Sequence, residues 1–349
     1  MKHRIAVAVA TMAIGAVSAS AYDVKVDGIY YNIIDGENLE VTSAVDYPYI
    51  SYFHPDYGMP PKKVKALYET NDYSGDIKIP DAVKVDGYEK PLAVTSIGYC
   101  AFYNSPDINS VILPTTISRI GDGAFAYSAL KKLDMGNVTM ETLDGGVCMN
   151  CTELSAVVFP KSLIHINDRA FMGVGLKALA LPASVNSLGN QAFAFSDIVE
   201  VSGIEAVYAY DANCFQGTSL TKITIHEGVR YLMSLSFHDL AQLKDVISLK
   251  IDPEDFDGHQ QSDMNSVFYG SNPDCTLWVP DESLEQYKAS ERWTSFFTDI
   301  RPLSQVGVEA VDAADGEAVP ALFDLTGRSV TAPVPGRIYV GSDGRKIRF

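Results

Sequence analysis

One phrase recurs along this chain at a nearly constant spacing, and it constrains the fold more than any other feature. Each copy ends at an aromatic residue or its substitute, and the steps between copies are 23, 23, 23, 22, 22, 22 and 31 residues. This aromatic column is formed by Phe102, Phe125, Cys148, Phe171, Phe193, Phe215, Phe237 and Phe268. Such a period predicts a solenoid, in which each coil buries its apolar residues against the next one.

A second column of mainly aliphatic residues stands five positions before the first seven members of the aromatic column. Its members are Ile97, Ile120, Leu143, Ile166, Leu188, Tyr210 and Leu232. After the aromatic residue follows the pattern apolar-x-x-apolar-x-apolar, as in Ile108, Val111 and Leu113. Its last two members alternate with a position expected to face solvent, which predicts a short strand. We therefore expect about eight coils of 22–23 residues, each with a strand on one side and the aromatic turn on another, stacked at roughly 4.8 Å.

The flanking sequences predict caps and a separate tail. Residues 22–91 are β-like, with hairpin signals at Asp27-Gly28 and Asp86-Gly87, and we interpret them as a β-rich amino-terminal cap. Residues 92–303 form the solenoid, closed by a helix from Asp281 or Ser283 to about residue 290. Residues 304–318 are small and acidic, as in a linker, and residues 319–349 predict three short strands. The fold class is an α+β repeat solenoid with a β-rich cap, a helical cap and a small β tail.

The apolar side chains Leu284, Tyr287 and Trp293 belong to the helical cap and are expected to seal the end of the stack.

The first 21 residues have the composition of a secretory signal peptide. Lys2 and Arg4 precede an apolar run that ends in Ala19, Ser20 and Ala21. An uncleaved membrane anchor is the alternative, but the run is shorter than the roughly 20 residues that span a bilayer, and we expect no transmembrane segment. The first cysteine is Cys100, so no amino-terminal lipid attachment to a cysteine is expected. The predicted location is extracellular or at the cell surface.

The charge and the scattered histidines exclude several functions. Loss of Lys2 and Arg4 takes the formal net charge from −17 to −19, which repels nucleic acid and anionic membranes. The six histidines form no pattern that would join an acid, a base and a nucleophile, so we expect no enzyme and no catalytic residue. Residues 251–263 partly match a calcium loop, but Pro253 and Met264 replace essential ligands. We expect no metal site and no cofactor.

The five cysteines fit the repeat better than a disulfide framework. Cys148 lies in the aromatic column, and Cys151 lies in the column of Ser105, Ser128 and Ser196. We expect buried thiols that act as small apolar side chains. Stacking puts Cys100 and Cys148 two coils apart, about 9 to 10 Å and beyond disulfide reach. Cys148 and Cys151 could form only a strained local bridge.

The repeated phrase resembles the BspA-like leucine-rich repeat found in surface proteins of anaerobic Gram-negative bacteria of the Bacteroidales type. Its clearest copies are VTSIGYCAF, TISRIGDGAF, SLIHINDRAF and SVNSLGNQAF, and the resemblance covers about residues 92–300. The resemblance implies a leucine-rich-repeat solenoid and adhesion to host or bacterial proteins. The tail resembles the short carboxy-terminal modules of secreted proteins in the same bacteria, some of which are sorting signals, but about 30 residues are few for such a domain.

Two surfaces are candidate binding sites. The outward residues of the strand pattern would stack into a ribbon with a small apolar centre and a charged rim, which suits a protein partner. Its candidate residues are Ile112, Lys132, Asp134, Val158, Glu200 and Lys222. The alternative is that this ribbon is only the face that any solenoid must expose.

The second candidate surface is a set of aromatic residues in the amino-terminal cap. The set comprises Tyr47, Tyr49, Tyr52, Phe53 and Tyr57, near three lysines. Aromatic faces suit both sugars and protein hot spots, although packing within the cap is an alternative use for them. The sequence therefore favours an exported, non-catalytic recognition protein that binds an extracellular protein, with glycan binding through the cap as the alternative.

Overall fold

The computed structural model describes residues 21–47, 69–257 and 263–306, together with the backbone of four short strands between residues 322 and 348. The predicted signal peptide before residue 21 and almost all of the predicted linker lie outside these described residues. The regular elements of the described residues are mostly strands, with a few short helices, as expected for a leucine-rich-repeat fold.

The amino-terminal strands extend the sheets of the repeats. They are β1 (Val24–Val26), β2 (Ile29–Ile33), β3 (Asn38–Thr42), β4 (Ser74–Lys78), β5 (Ala82–Val83) and β6 (Leu92–Ile97). β1 and β2 form the predicted hairpin, with left-handed φ at Asp27 and Gly28. β5 and β6 pair antiparallel around Asp86-Gly87. The stretch before β5 does not complete a hairpin, because β4 pairs in parallel with a strand of the next coil.

Each later coil places one strand in a parallel ribbon. The ribbon strands after β4 are β7 (Asp107–Ile112), β9 (Lys132–Asp134), β11 (Ala156–Val158), β13 (Ala178–Ala180), β15 (Glu200–Ser202), β17 (Lys222–Ile225), β19 (Asp245–Ser248), β20 (Thr276–Val279) and β21 (Ile300–Pro302). Their ladders run β4-β7-β9-β11, then β13-β15, then β17-β19-β20-β21. The ribbon is therefore interrupted after β11 and after β15.

A second parallel sheet runs along another side of the stack, built from two-residue strands. Its strands are β10 (Thr142–Leu143), β12 (His165–Ile166), β14 (Ser187–Leu188), β16 (Ala209–Tyr210) and β18 (Tyr231–Leu232), whereas the two-residue strand β8 (Arg119–Ile120) pairs with β6 of the amino-terminal sheet. Their second residues belong to the column five before the aromatic residue, and all of them are buried. The sequence analysis predicted this apolar column but not its strand conformation.

The aromatic column forms the centre of the core. Phe171, Phe193, Phe215 and Phe237 are fully or almost fully buried and stack face to face, with centroids 5.4 to 5.9 Å apart. Phe102 stacks on Phe125 in the same way at 5.2 Å. This stacking confirms that matching side chains share one column. Cys148 interrupts the ring stack between Phe125 and Phe171, as its place in the sequence requires.

The thiols occupy the predicted columns. All five cysteines are buried and free, so the expectation of buried thiols is confirmed. Ser105, Ser196 and Thr218 each donate to the carbonyl oxygen three residues earlier, at 2.6 to 3.0 Å. Cys151 takes the same column and donates instead to the carbonyl of Phe125, at 2.9 Å. A hydroxyl or thiol in this column thus satisfies a buried carbonyl oxygen of the tight turn.

The carboxy-terminal end of the stack carries α1 (Met264–Val267), α2 (Leu284–Ala289) and α3 (Glu291–Thr294). Tyr287 and Trp293 are fully buried there, and Leu284 packs against the same core. Ser283, one of the two predicted capping residues, stands at the N-cap position of α2, but its side chain makes no capping hydrogen bond. Asp281 accepts from the backbone N–H of Ser304, and Ser283 donates to the carbonyl of Ile251. The capping groups are thus used for tertiary contacts.

The described residues of the tail form four short strands, where the sequence predicted three in the whole tail. They are β22 (Leu322–Phe323), β23 (Ser329–Val330), β24 (Ile338–Gly341) and β25 (Lys346–Arg348). They form an antiparallel sheet in the order β23-β22-β24-β25.

Candidate binding surface

The candidate residues of the ribbon's first part stand side by side on neighbouring strands. Ile112 of β7 is in register with Asp134 of β9, which is in register with Val158 of β11. The Ile112 side chain is 54 % exposed and that of Val158 is 43 % exposed. Two apolar side chains therefore flank one carboxylate on a parallel sheet, whose inward residues Val111 and Leu133 are buried.

The charges around this apolar pair are solvent-exposed and of both signs. Lys132 forms an ion pair with Asp134 at 3.6 Å, and Lys131 forms one with Glu153 at 3.9 Å. More than half of each lysine side chain is exposed, so these pairs contribute little to folding stability. They remain available to exchange partners with charged groups of a bound molecule.

The second part of the ribbon contains the remaining candidate residues. Glu200 lies on β15, in register with Ala178 of β13, and Lys222 lies on β17, in register with Asp245 of β19. Both candidate side chains are exposed. Because β15 and β17 belong to different ladders, Glu200 and Lys222 do not face each other as an ordinary cross-strand pair.

Both ends of the ribbon carry polar residues that the sequence analysis did not place there. At the first end, Asp76 of β4 accepts hydrogen bonds from Asn109 and Ser110, and these bonds lower the pKa of its carboxyl group. At the other end, Trp278 of β20 donates to Asp245 at 2.6 Å. Tyr73 is the sequence feature that could have indicated β4. Its ring packs 4.6 Å from that of Phe102 and so extends the aromatic column by one coil.

The aromatic set of the cap is only partly described. Tyr49, Tyr52, Phe53 and Tyr57 lie outside the residues that the structure describes. Tyr47 is 7 % exposed, its ring packs against Tyr103 at 4.8 Å, and its hydroxyl donates to the carbonyl of Glu69 at 2.9 Å. A ring buried in this way offers no face to a sugar. Tyr47 is therefore removed from the candidate residues for glycan binding.

His165 and Asp255 both make structural contacts. His165 shares a hydrogen bond of 2.7 Å with Ser187 of the next coil. Asp255, in the segment compared with a calcium loop, pairs with both Arg230 and Lys250, which occupy the carboxylate that a cation would need. No group of three or more potential metal ligands occurs among the described residues. In the same part of the chain, no helix is long and apolar enough to cross a membrane.

The stacked parallel strands, the inward aliphatic columns and the turn carrying a buried phenylalanine define a leucine-rich-repeat protein. Within that class, the pattern of the BspA type leucine rich repeat region matches residues 83–199 and 141–252, with six copies. The chain is thus a BspA-like leucine-rich repeat protein. This family membership indicates a non-catalytic role in recognition or binding.

Solved structures of bacterial leucine-rich repeat proteins are similar to this chain. A leucine rich cell surface protein from Faecalibacterium prausnitzii A2-165 superposes with a TM-score of 0.52 and 18 % identity, over 80 % of this chain and 72 % of that one. A leucine-rich repeat protein from Bacteroides ovatus ATCC 8483 has a TM-score of 0.35 and 19 % identity, over 78 % of this chain and 81 % of that one. The first likeness shows the fold alone. No curated protein matches the sequence.

Proposed function

We propose that this chain is an exported adhesin that binds an extracellular protein, host or bacterial, through the ribbon. Its signal peptide at residues 1–21 directs export, and about eight coils between the two caps present the ribbon to the partner. The observation that carries the proposal is the exposed pair Ile112 and Val158 on either side of Asp134. Apolar side chains ringed by charges are the composition of a protein-binding patch.

The chemistry of the patch favours a protein partner with its own apolar residue and a cation. Burial of Ile112 and Val158 would remove apolar surface from water, which favours association. A partner's lysine or arginine at the centre of the patch could pair with Asp134, while Lys132 turned toward a carboxylate. Candidate contacts at Glu200 and Lys222 would extend the same interface along the ribbon.

A binding screen with purified extracellular-matrix proteins tests this proposal. The double variant Ile112→Lys/Val158→Lys should weaken a retained partner at least tenfold, because each apolar contact is replaced by a solvated charge. The variant Thr139→Lys/Thr142→Lys is the matched control, since it adds two charges at exposed positions at and before β10. Equal binding by both double variants and the unmodified protein would remove the ribbon patch from the interface.

Glycan binding through Tyr49, Tyr52, Phe53 and Tyr57 is the alternative function. Within the described residues no contact favours it, and Tyr47 is buried. A glycan array probed with the full chain separates the two functions. Sugar-dependent retention that persists in Ile112→Lys/Val158→Lys would favour the glycan-binding alternative over the adhesin.

A further inference from the structure

The first ladder of the ribbon carries an outward row of side chains to which the amino-terminal cap adds a cation. Lys78, the last residue of β4, is in register with Ile112 of β7. The registers then continue from Ile112 to Asp134 of β9, and from Asp134 to Val158 of β11. The row therefore consists of a cation, an apolar residue, an anion and a second apolar residue on four neighbouring strands, and all four residues are exposed.

The two charges of this row are available to a partner. One oxygen of Asp134 pairs with Lys132 at 3.6 Å, and the other accepts from the backbone N–H of Gly136 at 3.1 Å. The ion pair is solvent-exposed and therefore weak, and both oxygens keep free lone pairs. Among the described residues, nothing pairs with the Lys78 ammonium group, because Asp76 on the same strand accepts two hydrogen bonds from β7 instead.

The length and spacing of the row fit a short helix laid across the strands. Neighbouring strands lie about 4.8 Å apart, so the row is about 14 Å long. The ladder is interrupted after β11, which ends the row at Val158. A helix rises about 5.4 Å per turn, so the side chains on one of its faces recur at nearly the spacing of the strands. An extended segment in the same direction repeats its same-face side chains only every 6.6 Å or about that, and it loses register after two strands.

We propose that this row binds an amphipathic helix of the partner protein, with an acidic residue against Lys78 and a basic residue against Asp134. The inference rests on the proposed binding role of the ribbon and adds the chemistry of the partner. Asp134 lies two strands from Lys78, about 9.6 Å, and seven helical residues span about 10.5 Å. The helix therefore carries the acid at position i and the base at i+7. Apolar residues about one turn after the acid and one turn after the base contact Ile112 and Val158.

Charge complementarity sets the direction of this helix. Acidic residues are favoured near the amino terminus of a helix and basic residues near its carboxy terminus, because of the helix dipole. The acid therefore precedes the base in the partner's sequence, and the helix runs from β4 toward β11. A helix with these two charges exchanged would place like charges together at both Lys78 and Asp134, which disfavours binding. Burial of Ile112 and Val158 supplies affinity, and the two charges fix the register.

Two alanine-based helical peptides test the row. One carries Glu, Leu, Arg and Leu at positions i, i+4, i+7 and i+11, and the other has Glu and Arg exchanged. Both are stapled on the opposite face, because short isolated helices are marginal in water. The first peptide should bind the full chain at least fivefold more tightly, as measured by fluorescence anisotropy. The variant Lys78→Glu/Asp134→Lys should reverse this preference, because it exchanges the two charges of the row at constant net charge.

Lys288→Glu/Glu285→Lys is the matched control. It exchanges an exposed ion pair of α2, at the other end of the solenoid, and also keeps the net charge. It should keep the preference of the unmodified chain. The milder variant Lys78→Gln removes only the cation at the end of the row, and should lower the preference at least twofold. Circular dichroism checks that each variant is folded.

Three results would overturn the helix-binding row. Equal binding of the two peptides by the unmodified chain would mean that the charges of the row are not recognised. A preference that Lys78→Glu/Asp134→Lys leaves unreversed would place the bound peptide elsewhere. Tighter binding of an unstapled peptide that carries the same four side chains and a central proline would contradict a helical ligand.

The partner screen separates this inference from the proposed function. If a retained protein is lost by Ile112→Lys/Val158→Lys but binds Lys78→Glu/Asp134→Lys as tightly as the unmodified chain, the ribbon remains the binding surface and the helical ligand is wrong. If the peptide preference reverses as expected but no extracellular protein is retained, the helix-binding row stands and the adhesin function is wrong.

Discussion

Two coils of this solenoid lack a large side chain in the core, and they differ in how the space is used. In the coil that begins at Cys148, the aromatic column loses a ring, but the third strand position carries Phe159, whose ring packs edge-on to Phe171 at 5.4 Å. In the coil that follows Phe193, Gly203 leaves the third strand position empty, and a cavity remains beside β15 and β17. The ribbon ladder is interrupted after both coils.

The difference shows which losses the stack can compensate. A missing ring in the aromatic column can be balanced by a larger residue in the neighbouring strand column, because both columns point into the same core. Gly203 itself cannot be replaced by a residue with a side chain without a shift of the backbone, because the Leu181 carbonyl oxygen occupies the place of its Cβ atom. The first coil therefore keeps a packed core, and the second presents an opening to the ribbon surface.

The largest expected effect comes from removal of a ring with stacked neighbours on both sides. Phe193 stacks on Phe171 and on Phe215, whereas Phe125 stacks on Phe102 and faces Cys148 on its other side. Phe193→Ala should lower the free energy of unfolding by about 3 to 5 kcal/mol. Phe125→Ala should cost about 1 kcal/mol less, since one aromatic pair fewer is lost. Urea unfolding followed by circular dichroism measures both, and equal losses would contradict a continuous ring stack.

Gly203→Ala tests whether the vacancy at the second coil is fixed by the backbone. The new Cβ atom would overlap the Leu181 carbonyl oxygen, and the left-handed φ adds strain, so we expect a loss of about 2 to 3 kcal/mol. Gly228→Ala is the control in the next coil, because nothing lies within 4 Å of its added Cβ atom. Thermal unfolding of both variants gives the comparison. A stable Gly203→Ala would show that the strand can shift to admit a side chain.

Cys148→Phe tests the compensation at the first coil. A restored ring would compete with Phe159 for the same core volume, and overpacking should cost about 1 to 2 kcal/mol. The double variant Cys148→Phe/Phe159→Leu returns both columns to their usual residue types and should recover most of that loss. A double-mutant cycle from denaturant unfolding measures the coupling. Additive effects would mean that the two positions do not share one space.

The smallest expected effect on stability comes from His226, which directly follows β17. Burial lowers its pKa below the ordinary 6.5, against the opposing charges of Glu205 and Glu227. Below pH 6.5 the unfolded chain therefore takes up the proton first, so the free energy of unfolding falls as the pH drops through this window. His226→Gln should flatten this part of the stability profile between pH 7.5 and 5.5. An unchanged slope would assign the pH dependence to other groups.

Sequence periodicity predicted the stacking register, but it could not predict every coil or strand. The spacing from Tyr73 to Phe102 is 29 residues, outside the regular period, so β4 was interpreted as part of a hairpin although it joins the ribbon. The two-residue strands such as β14 are too short to produce an alternating pattern. Their conformation is imposed by hydrogen bonds from the coils on either side.

For the candidate binding surface too, the sequence predicted some features and not others. Alternation along each strand predicted that Ile112, Asp134 and Val158 point outward, since neighbouring residues of a strand face opposite sides. That these three side chains form one row depends on the ladder registers between three coils. The burial of Tyr47 was outside the reach of a local pattern, because Tyr103 and Glu69 are distant in the sequence.

The sequence by itself determined the repeat, its apolar columns and the family, because a solenoid uses the same short-range pattern in every coil. Only the tertiary structure decided where the ribbon is interrupted, which cap residues are buried, and that Val201 of β15 and Lys222 of β17 border one cavity. These features depend on how one coil meets the next. The closeness of the Leu181 carbonyl to Gly203, and the missing ladder between β15 and β17, are contacts between coils that no single repeat encodes.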